Sequence, residues 1–184
     1  PDNEQMQSVL FSTPNGLPGI PVSSGGNYTD EQGQQWVCDE VNLERGVYVQ
    51  RVKTVNITKV RKGWDSTPHM AIFDTEETQI SKNGFCTHFI VLQYISELCC
   101  FINDGFDQII FFNKEWSSYK DAQTFIDAAN AANNPVRVTY LINPIETPLS
   151  ETDIAAYRAL TTYKGTTILE SECYLKVKYS KLRK

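Results

Sequence analysis

The chain has 184 residues, which is enough for one well-buried core and favours a single domain. Its 17 Lys and Arg residues against 22 Asp and Glu residues give a net charge of -5, so neither nucleic acid nor an anionic membrane surface is an expected partner. No apolar run approaches the ~18 residues of a membrane span, and the first residues lack the order of a signal peptide, so we expect no membrane insertion.

The five cysteines are scattered, odd in number, and contain no CxxC pair. This pattern predicts neither a disulfide framework nor a zinc site, so we interpret them as buried free thiols. Cys99 and Cys100 would point to opposite faces of a strand, which makes them a poor joint metal clamp. Free thiols fit synthesis in a reducing cytoplasm, and the sequence predicts no metal and no cofactor.

Prolines and glycines dominate residues 14–21 and exclude a helix there. We predict that this segment crosses an edge of the fold, that residues 1–16 form an N-terminal extension, and that residues 17–184 form one β-sandwich domain. Residues 27–60 then alternate polar turns with aromatic and β-branched runs, which predicts a β-meander.

A hairpin is the clearest prediction in the middle of the chain. The Asn-Asp-Gly sequence at 103–105 lies between two apolar runs, and Asp-Gly tolerates the positive φ angles of tight turns. The second hairpin strand is apolar on both faces at 109–112, which predicts a strand covered on each side. Upstream, residues 70–73 and 85–92 are typical of short strands, and the polar residues 74–83 are interpreted as a loop.

The first helix is predicted over about residues 118–132. Ser118 and the acid three residues later resemble a capping box, and apolar residues follow at three- and four-residue spacing. The Asn-Asn-Pro sequence at 133–135 ends this helix. Apolar residues then alternate with other side chains over 136–142, which predicts a strand with one face in the core.

The second helix is predicted over about residues 151–160. Ser150 can cap it, an acid occupies the third helical position, and Leu149 can pack on Ile154 as a hydrophobic staple. Two closing strands are predicted after it, over residues 166–169 and 173–179.

About nine strand candidates and two short helices favour a mainly β fold over an alternating α/β sheet. The fold class predicted from the sequence is an antiparallel β-sandwich, jelly-roll-like.

Few residues suggest catalysis. Cys86 and His88 would share a face of a strand and could form a thiol-imidazole pair, but their apolar neighbours favour half-buried core residues. The adjacent acids Asp39 and Glu40 would point apart on a strand, and the acids at 74–77 are typical of a solvated loop, so a glycosidase pair is not favoured. The chain contains none of the phosphate-loop, serine-hydrolase, zinc-protease or EF-hand motifs. We therefore predict that it is not an enzyme.

Recognition of a ligand by aromatic side chains is the remaining functional hypothesis. Trp64 lies in a polar, turn-rich loop and is the best candidate for an exposed ring, whereas Trp36 in its alternating strand is assigned to the core. The predicted ligand-binding residues are Trp64, Asp65 and Tyr28. Loop acids without EF-hand spacing leave calcium binding open.

Two parts of the chain resemble proteins of phage and prophage tails in Gram-positive bacteria. The first part contains LPGIPV at 17–22, GGNYTD at 25–30, QWVCDE at 35–40 and RGVYVQR at 45–51. The second part contains NPV at 134–136, PIETPLS at 144–150 and AAYRALTTYK at 155–164, and is similar to the end of tail-associated minor structural proteins. The chain departs from that pattern at 142–143, where it has Ile-Asn, and at 170–173, where it has Glu-Ser-Glu-Cys.

The resemblance implies a non-enzymatic structural or adhesion module of a tail fibre or baseplate. It implies other tail proteins as partners, a homotrimer as the oligomer to test, and contact with the host surface. The implied location is the virion tail, after synthesis in the host bacterial cytoplasm. The alternative is a carbohydrate-binding module that takes a host-surface glycan, with a glycoside hydrolase as its less favoured form.

Overall fold

A computed structural model of the protein describes residues 8–13, 17–62, 69–94, 98–113, 121–160 and 167–169. Strands predominate, the sheets are mainly antiparallel, and two short helices accompany them, which confirms the predicted fold class. The jelly-roll order of strands stays a prediction. The elements are β1 (Ser8–Phe11), β2 (Ile20–Val22), β3 (Tyr28–Thr29), β4 (Gln35–Val37), β5 (Asp39–Asn42), β6 (Val47–Asn56), β7 (Arg61–Lys62), β8 (Met70–Asp74), β9 (Gln79–Cys86), β10 (Leu98–Asn103), β11 (Gln108–Asn113), α1 (Ala122–Ala131), β12 (Arg137–Pro148), α2 (Glu151–Leu160) and β13 (Thr167–Leu169).

The chain divides into two compact units. The first unit comprises Pro1–Val52 and Pro144–Lys184, and the second unit comprises Lys53–Asn143. The extension over residues 1–16 and the single domain over residues 17–184 stay predictions.

The first unit contains two groups of paired strands. β1 pairs antiparallel with β5 and parallel with β13, and β5 pairs antiparallel with β6. β4 lies between β2 and β3, so that Trp36 is opposite Pro21 on one side and Tyr28 on the other. β3 pairs with β4, and β5 pairs with β6, in two different sheets, so the predicted continuous meander is divided into two antiparallel pairs.

The predicted start of the second helix is confirmed. The Ser150 hydroxyl accepts a hydrogen bond from the backbone N–H of Asp153 at 3.1 Å and donates one to the Asp153 carboxylate at 2.6 Å. Leu149 and Ile154 pack in the same cluster, as a hydrophobic staple requires. The buried members of that cluster are Val9, Val41, Leu43 and Tyr157.

The second unit has its core between strands of two sheets. β12 pairs with β9 in one sheet, and β10, β11, β8 and β7 lie side by side in the other. Buried side chains from both sheets, from α1 and from the connecting segments form one cluster: Ile57, Ala71, Phe89, Cys100, Ile102, Ile109, Phe111, Ala122, Ile126, Val136, Val138, Tyr140 and Ile142. This arrangement agrees with the predicted β-sandwich.

The predicted hairpin at 103–105 is confirmed. Asn103 of β10 is opposite Gln108 of β11, and Gly105 in the connecting turn has a φ of 79°. Both faces of β11 are covered, as predicted, because Ile109 and Phe111 face the main cluster while Ile110 belongs to another.

The predicted cap of the first helix is wrong. α1 begins at Ala122, and its N-cap is Asp121, whose carboxylate accepts a hydrogen bond from the backbone N–H of Thr124 at 2.9 Å. The predicted cap Ser118 lies outside the described residues. An aspartate in extended conformation satisfies the first free N–H groups of a helix as well as a serine does, so Asp121 can take the capping role that was predicted for Ser118.

The predicted loop at 74–83 and strand at 85–92 are also wrong. β9 occupies Gln79–Cys86, so that half of the polar run is a strand and the chain leaves it after Cys86. Hydrogen bonds of the buried Gln79 explain the polar strand, because its side chain accepts one from Gln108 N at 3.1 Å and donates one to Glu77 O at 2.9 Å. Residues 166–169 are described only from Thr167, which begins β13, and residues 173–179 lie outside the described residues.

Candidate functional site

The turn that follows Tyr28 is held by a single carboxylate. Asp30 Oδ1 accepts hydrogen bonds from the backbone N–H groups of Gln32 at 3.0 Å and Gln34 at 2.9 Å. Its other oxygen, Oδ2, accepts one from the indole Nε1–H of Trp36 at 2.8 Å. Asp30 therefore fixes both the turn and the ring of the next strand, which is a structural role for the last residue of the GGNYTD segment.

The hydrogen bond from Trp36, followed by those of the turn, lowers the pKa of the exposed Asp30 carboxyl below its ordinary value of 3.8. A lowered pKa in the folded state means that the contribution of Asp30 to stability is fully present above pH 3.8 and is lost as the pH falls through the lowered pKa. We expect the indole N–H resonance of Trp36, assigned by comparison with Trp36→Phe, to titrate with a midpoint below pH 3.8. A midpoint above that value, or no titration, contradicts this assignment.

Asn27 ties the strand of Trp36 to the residues after it. Its Oδ1 accepts a hydrogen bond from Cys38 N at 2.8 Å, and its Nδ2 donates to Cys38 O at 3.1 Å and to Glu40 Oε2 at 2.8 Å. Tyr28 beside it is half-buried and pairs in register with Trp36. Trp36 itself is half-buried, so its assignment to the core is only partly met.

The structure describes one of the three predicted ligand-binding residues. Tyr28 lies in β3 and is half-buried. Trp64 and Asp65 lie outside the described residues, so a joint site of the three stays a prediction.

A second carboxylate, Asp39, joins β5 to β6. Its Oδ1 accepts hydrogen bonds from the backbone N–H groups of Arg51 at 2.6 Å and Val52 at 2.8 Å, and its Oδ2 accepts one from the Tyr48 hydroxyl at 2.9 Å. Burial raises the pKa of Asp39 above its ordinary value, although these hydrogen bonds oppose the shift. Burial, followed by the charge of Asp39, also raises the pKa of Tyr48.

The neighbouring acid has different partners. Glu40 Oε2 lies 3.3 Å from Arg51 Nη1. Asp39 binds backbone N–H groups, and Glu40 forms an ion pair with Arg51. Both acids therefore have structural partners, as expected of adjacent acids on a strand.

The acidic loop at 74–77 forms ion pairs. Asp74 receives two hydrogen bonds from the Arg61 guanidinium, at 2.7 and 2.9 Å, and Glu77 lies 2.7 Å from Lys53 Nζ. The guanidinium lowers the pKa of Asp74. These cations occupy oxygens that a calcium ion would need.

Cys86 and His88 do not form the geometry of a thiol-imidazole pair. β9 ends at Cys86, so the two residues do not share a strand face. The imidazole of His88 has its Nδ1 2.7 Å from Thr87 Oγ1 and its Nε2 3.2 Å from Asn134 Nδ2. The Cys86 thiol instead contacts the Cys100 thiol and backbone N–H groups.

The second unit exposes apolar side chains at the beginning of β10. Ile90, Tyr94 and Leu98 are 69%, 67% and 52% exposed. Residues 90–92 run parallel to β10, with Cys100 N donating to Ile90 O at 2.9 Å and Leu92 N donating to Cys100 O at 3.0 Å. We call Ile90, Tyr94 and Leu98 the exposed apolar patch. The patch was not predicted from the sequence, because Ile90 lies in a run predicted to be a strand and Tyr94 lies outside every predicted strand.

In the described part of the chain, no group of three or more His, Cys, Asp or Glu side chains is placed to hold a metal ion. Across the same residues, the two helices are too short and too polar to cross a membrane. Comparisons with models of known protein families, with curated proteins and with solved structures give no match to this chain.

Proposed function

We propose that this chain is a non-enzymatic structural or adhesion module of a phage or prophage tail, in which it contacts other tail proteins. The observation that carries the proposal is the use of polar side chains in the segments that resemble tail proteins. The Asn27 side chain is hydrogen-bonded to the backbone of Cys38. The Asp30 carboxylate accepts a hydrogen bond from the Trp36 indole, and the Asp39 carboxylate accepts two from backbone N–H groups. Residues held in this way specify a shape, and their polar atoms are already used by main chain or by a neighbouring side chain.

The exposed apolar patch supports a role in an assembly. Large apolar side chains that are exposed to solvent forgo the free energy of burial. Such side chains commonly mark surfaces that contact another protein. Leu98 is the first residue of β10, and Tyr94 O lies 4.0 Å from Cys99 Sγ on the same strand, so a partner on the patch would contact the beginning of β10.

Fractionation of tail particles tests the proposal. Phage or prophage particles are induced in the source bacterium, separated on a density gradient, and probed with an antibody against this chain. We expect the protein in the fraction that contains tails, in a fixed ratio to the other tail proteins. Its presence only in the particle-free fraction contradicts the proposal.

Glycan binding is the second candidate, and the exposure of Tyr94 favours testing it. An exposed aromatic ring can stack on the apolar face of a sugar. We expect cell-wall glycan binding, if it is the function, to be lost in Trp64→Ala and retained in Tyr48→Phe, because Tyr48 is occupied by Asp39. Equal binding by wild type and Trp64→Ala, or none by either, removes this candidate.

A further inference from the structure

Strands β9 and β10 belong to different sheets and lie close to each other. Lys82 Nζ lies 3.7 Å from Asp104 Oδ1. Two residues further along β9, a Cβ atom built on Gly84 would lie 2.3 Å from Ile102 Cδ1. Each step of two residues forward on β9 therefore corresponds to two residues backward on β10. The next pair in this series is Cys86 and Cys100.

The surroundings of the two cysteines agree with this pairing. Cys100 is fully buried in the main cluster of the second unit, and Cys86 packs against the same cluster. Each thiol shifts the pKa of the other, downward for Cys86 and upward for Cys100, as expected of neighbouring thiols. Cys99, the neighbour of Cys100, points elsewhere, because its Sγ lies 4.0 Å from Tyr94 O. Both thiols of the pair are reduced in this structure.

We propose that Cys86 and Cys100 are a redox-sensitive pair that closes to a disulfide between the two packed strands when the protein meets a disulfide oxidant such as oxidised glutathione. A disulfide needs Cα atoms within about 7 Å. The missing side chain at Gly84 favours such an approach, because a Cβ atom there would lie 2.3 Å from Ile102 Cδ1. This site was not expected from the sequence, where the spacing of the cysteines indicated only free thiols. It stands independently of the role in a tail.

Cys86 is the residue that reacts first. It is partly exposed, whereas Cys100 is sealed in the core. The hydrogen bond from Cys100, together with the backbone N–H groups of residues 87–89, lowers the pKa of Cys86 against the opposing effect of burial. Burial raises the pKa of Cys100. A thiolate is the attacking species in thiol-disulfide exchange, so the asymmetry assigns attack to Cys86 and resolution to Cys100.

The exchange is balanced in two steps. The Cys86 thiolate attacks one sulfur of glutathione disulfide, whose S–S bond breaks and releases a glutathione thiolate. Cys100 then attacks the Cys86 sulfur, and its proton passes to the second glutathione thiolate as that thiolate leaves. Two protein thiols are oxidised to one disulfide, and one glutathione disulfide is reduced to two molecules of glutathione.

Peptide mapping of the whole folded chain tests the pair. The protein is incubated with glutathione disulfide, its remaining thiols are alkylated, and it is cleaved after Lys82, Glu97 and Lys114. These cuts separate Cys86, in one peptide, from Cys99 and Cys100, in the other. We expect the two peptides to be joined at a mass two hydrogens below their sum, and dithiothreitol to separate them.

Three variants identify the sulfurs. The cross-link is expected to disappear in Cys86→Ala and in Cys100→Ala, and to persist in the matched control Cys99→Ala. Oxidation is expected to raise the Tm of wild type and of Cys99→Ala by about 10 °C, and to leave the Tm of Cys86→Ala unchanged. Because Cys100→Ala leaves a cavity, Cys86→Ala at the partly exposed position decides the test if Cys100→Ala does not fold. No cross-link in oxidised wild type, or a cross-link that is lost in Cys99→Ala and kept in Cys86→Ala or Cys100→Ala, overturns the proposal.

Discussion

Gly84→Ala is expected to lower the free energy of unfolding by about 3 kcal/mol, because the added Cβ atom would overlap with neighbouring atoms. The new Cβ atom would lie 2.3 Å from Ile102 Cδ1 and 2.4 Å from the backbone oxygen of Thr139. The Ile102 side chain can move, but the backbone of β12 cannot yield without disturbing its pairing with β9. Chemical denaturation monitored by circular dichroism measures the change.

Two further variants distinguish steric overlap from backbone strain as the cause of the destabilisation. Gly105→Ala places its Cβ atom in open space but at a φ of 79°, so it is expected to cost only about 1 kcal/mol, through backbone strain. Ile102→Val removes the closest carbon, so the double variant with Gly84→Ala should be more stable than the sum of the two single effects predicts. A neutral Gly84→Ala contradicts the close packing of β9 on β10.

Asp39→Ala is expected to destabilise the first unit by about 2 kcal/mol. The substitution leaves the backbone N–H groups of Arg51 and Val52 and the hydroxyl of Tyr48 without their acceptor. Asp39→Asn is the matched control, since its remaining oxygen can accept from both N–H groups and its amide can donate to Tyr48. We expect thermal unfolding to place Asp39→Asn well above Asp39→Ala, and equal losses would show that the acceptor geometry is unimportant.

The two Asp39 variants also test the pH dependence. Because burial raises the pKa of Asp39 in the folded protein above its ordinary value of 3.8, ionisation of this carboxyl opposes folding. Its contribution to stability is fully present below pH 3.8 and decreases as the pH rises through the raised pKa. In Asp39→Asn this decrease should be absent from the curve of stability against pH. An unchanged curve would contradict the raised pKa.

Local sequence was sufficient where a few neighbouring residues determine the structure. The Ser150 cap and the Leu149 staple act within one helical turn, and the Gly105 turn needs only its own positive φ. Both predictions are confirmed for this reason. The alternation of Val138, Tyr140 and Ile142 identified a core face because one strand repeats every second residue.

Tertiary contacts decide the features that the sequence did not reveal. β9 is a strand in a polar run because the buried Gln79 side chain finds hydrogen-bonding partners at Glu77 and at Gln108, and Gln108 lies on β11, remote in sequence. The pairing of Cys86 with Cys100 depends on the packing of β9 on β10, which no spacing of cysteines shows. Exposure of Ile90 and Tyr94 likewise depends on how the segment after β9 lies beside β10.

The central proposal is that the chain works as an assembled part of a tail through its exposed apolar patch. Photo-crosslinking inside tail particles tests it most directly, with a photoreactive amino acid in place of Tyr94, and in place of the exposed Glu31 as the control position. The account predicts a covalent adduct between position 94 and another tail protein, and a much weaker one from position 31. Particles that contain the labelled chain but give no adduct from position 94, or particles from which the chain is absent, would contradict it.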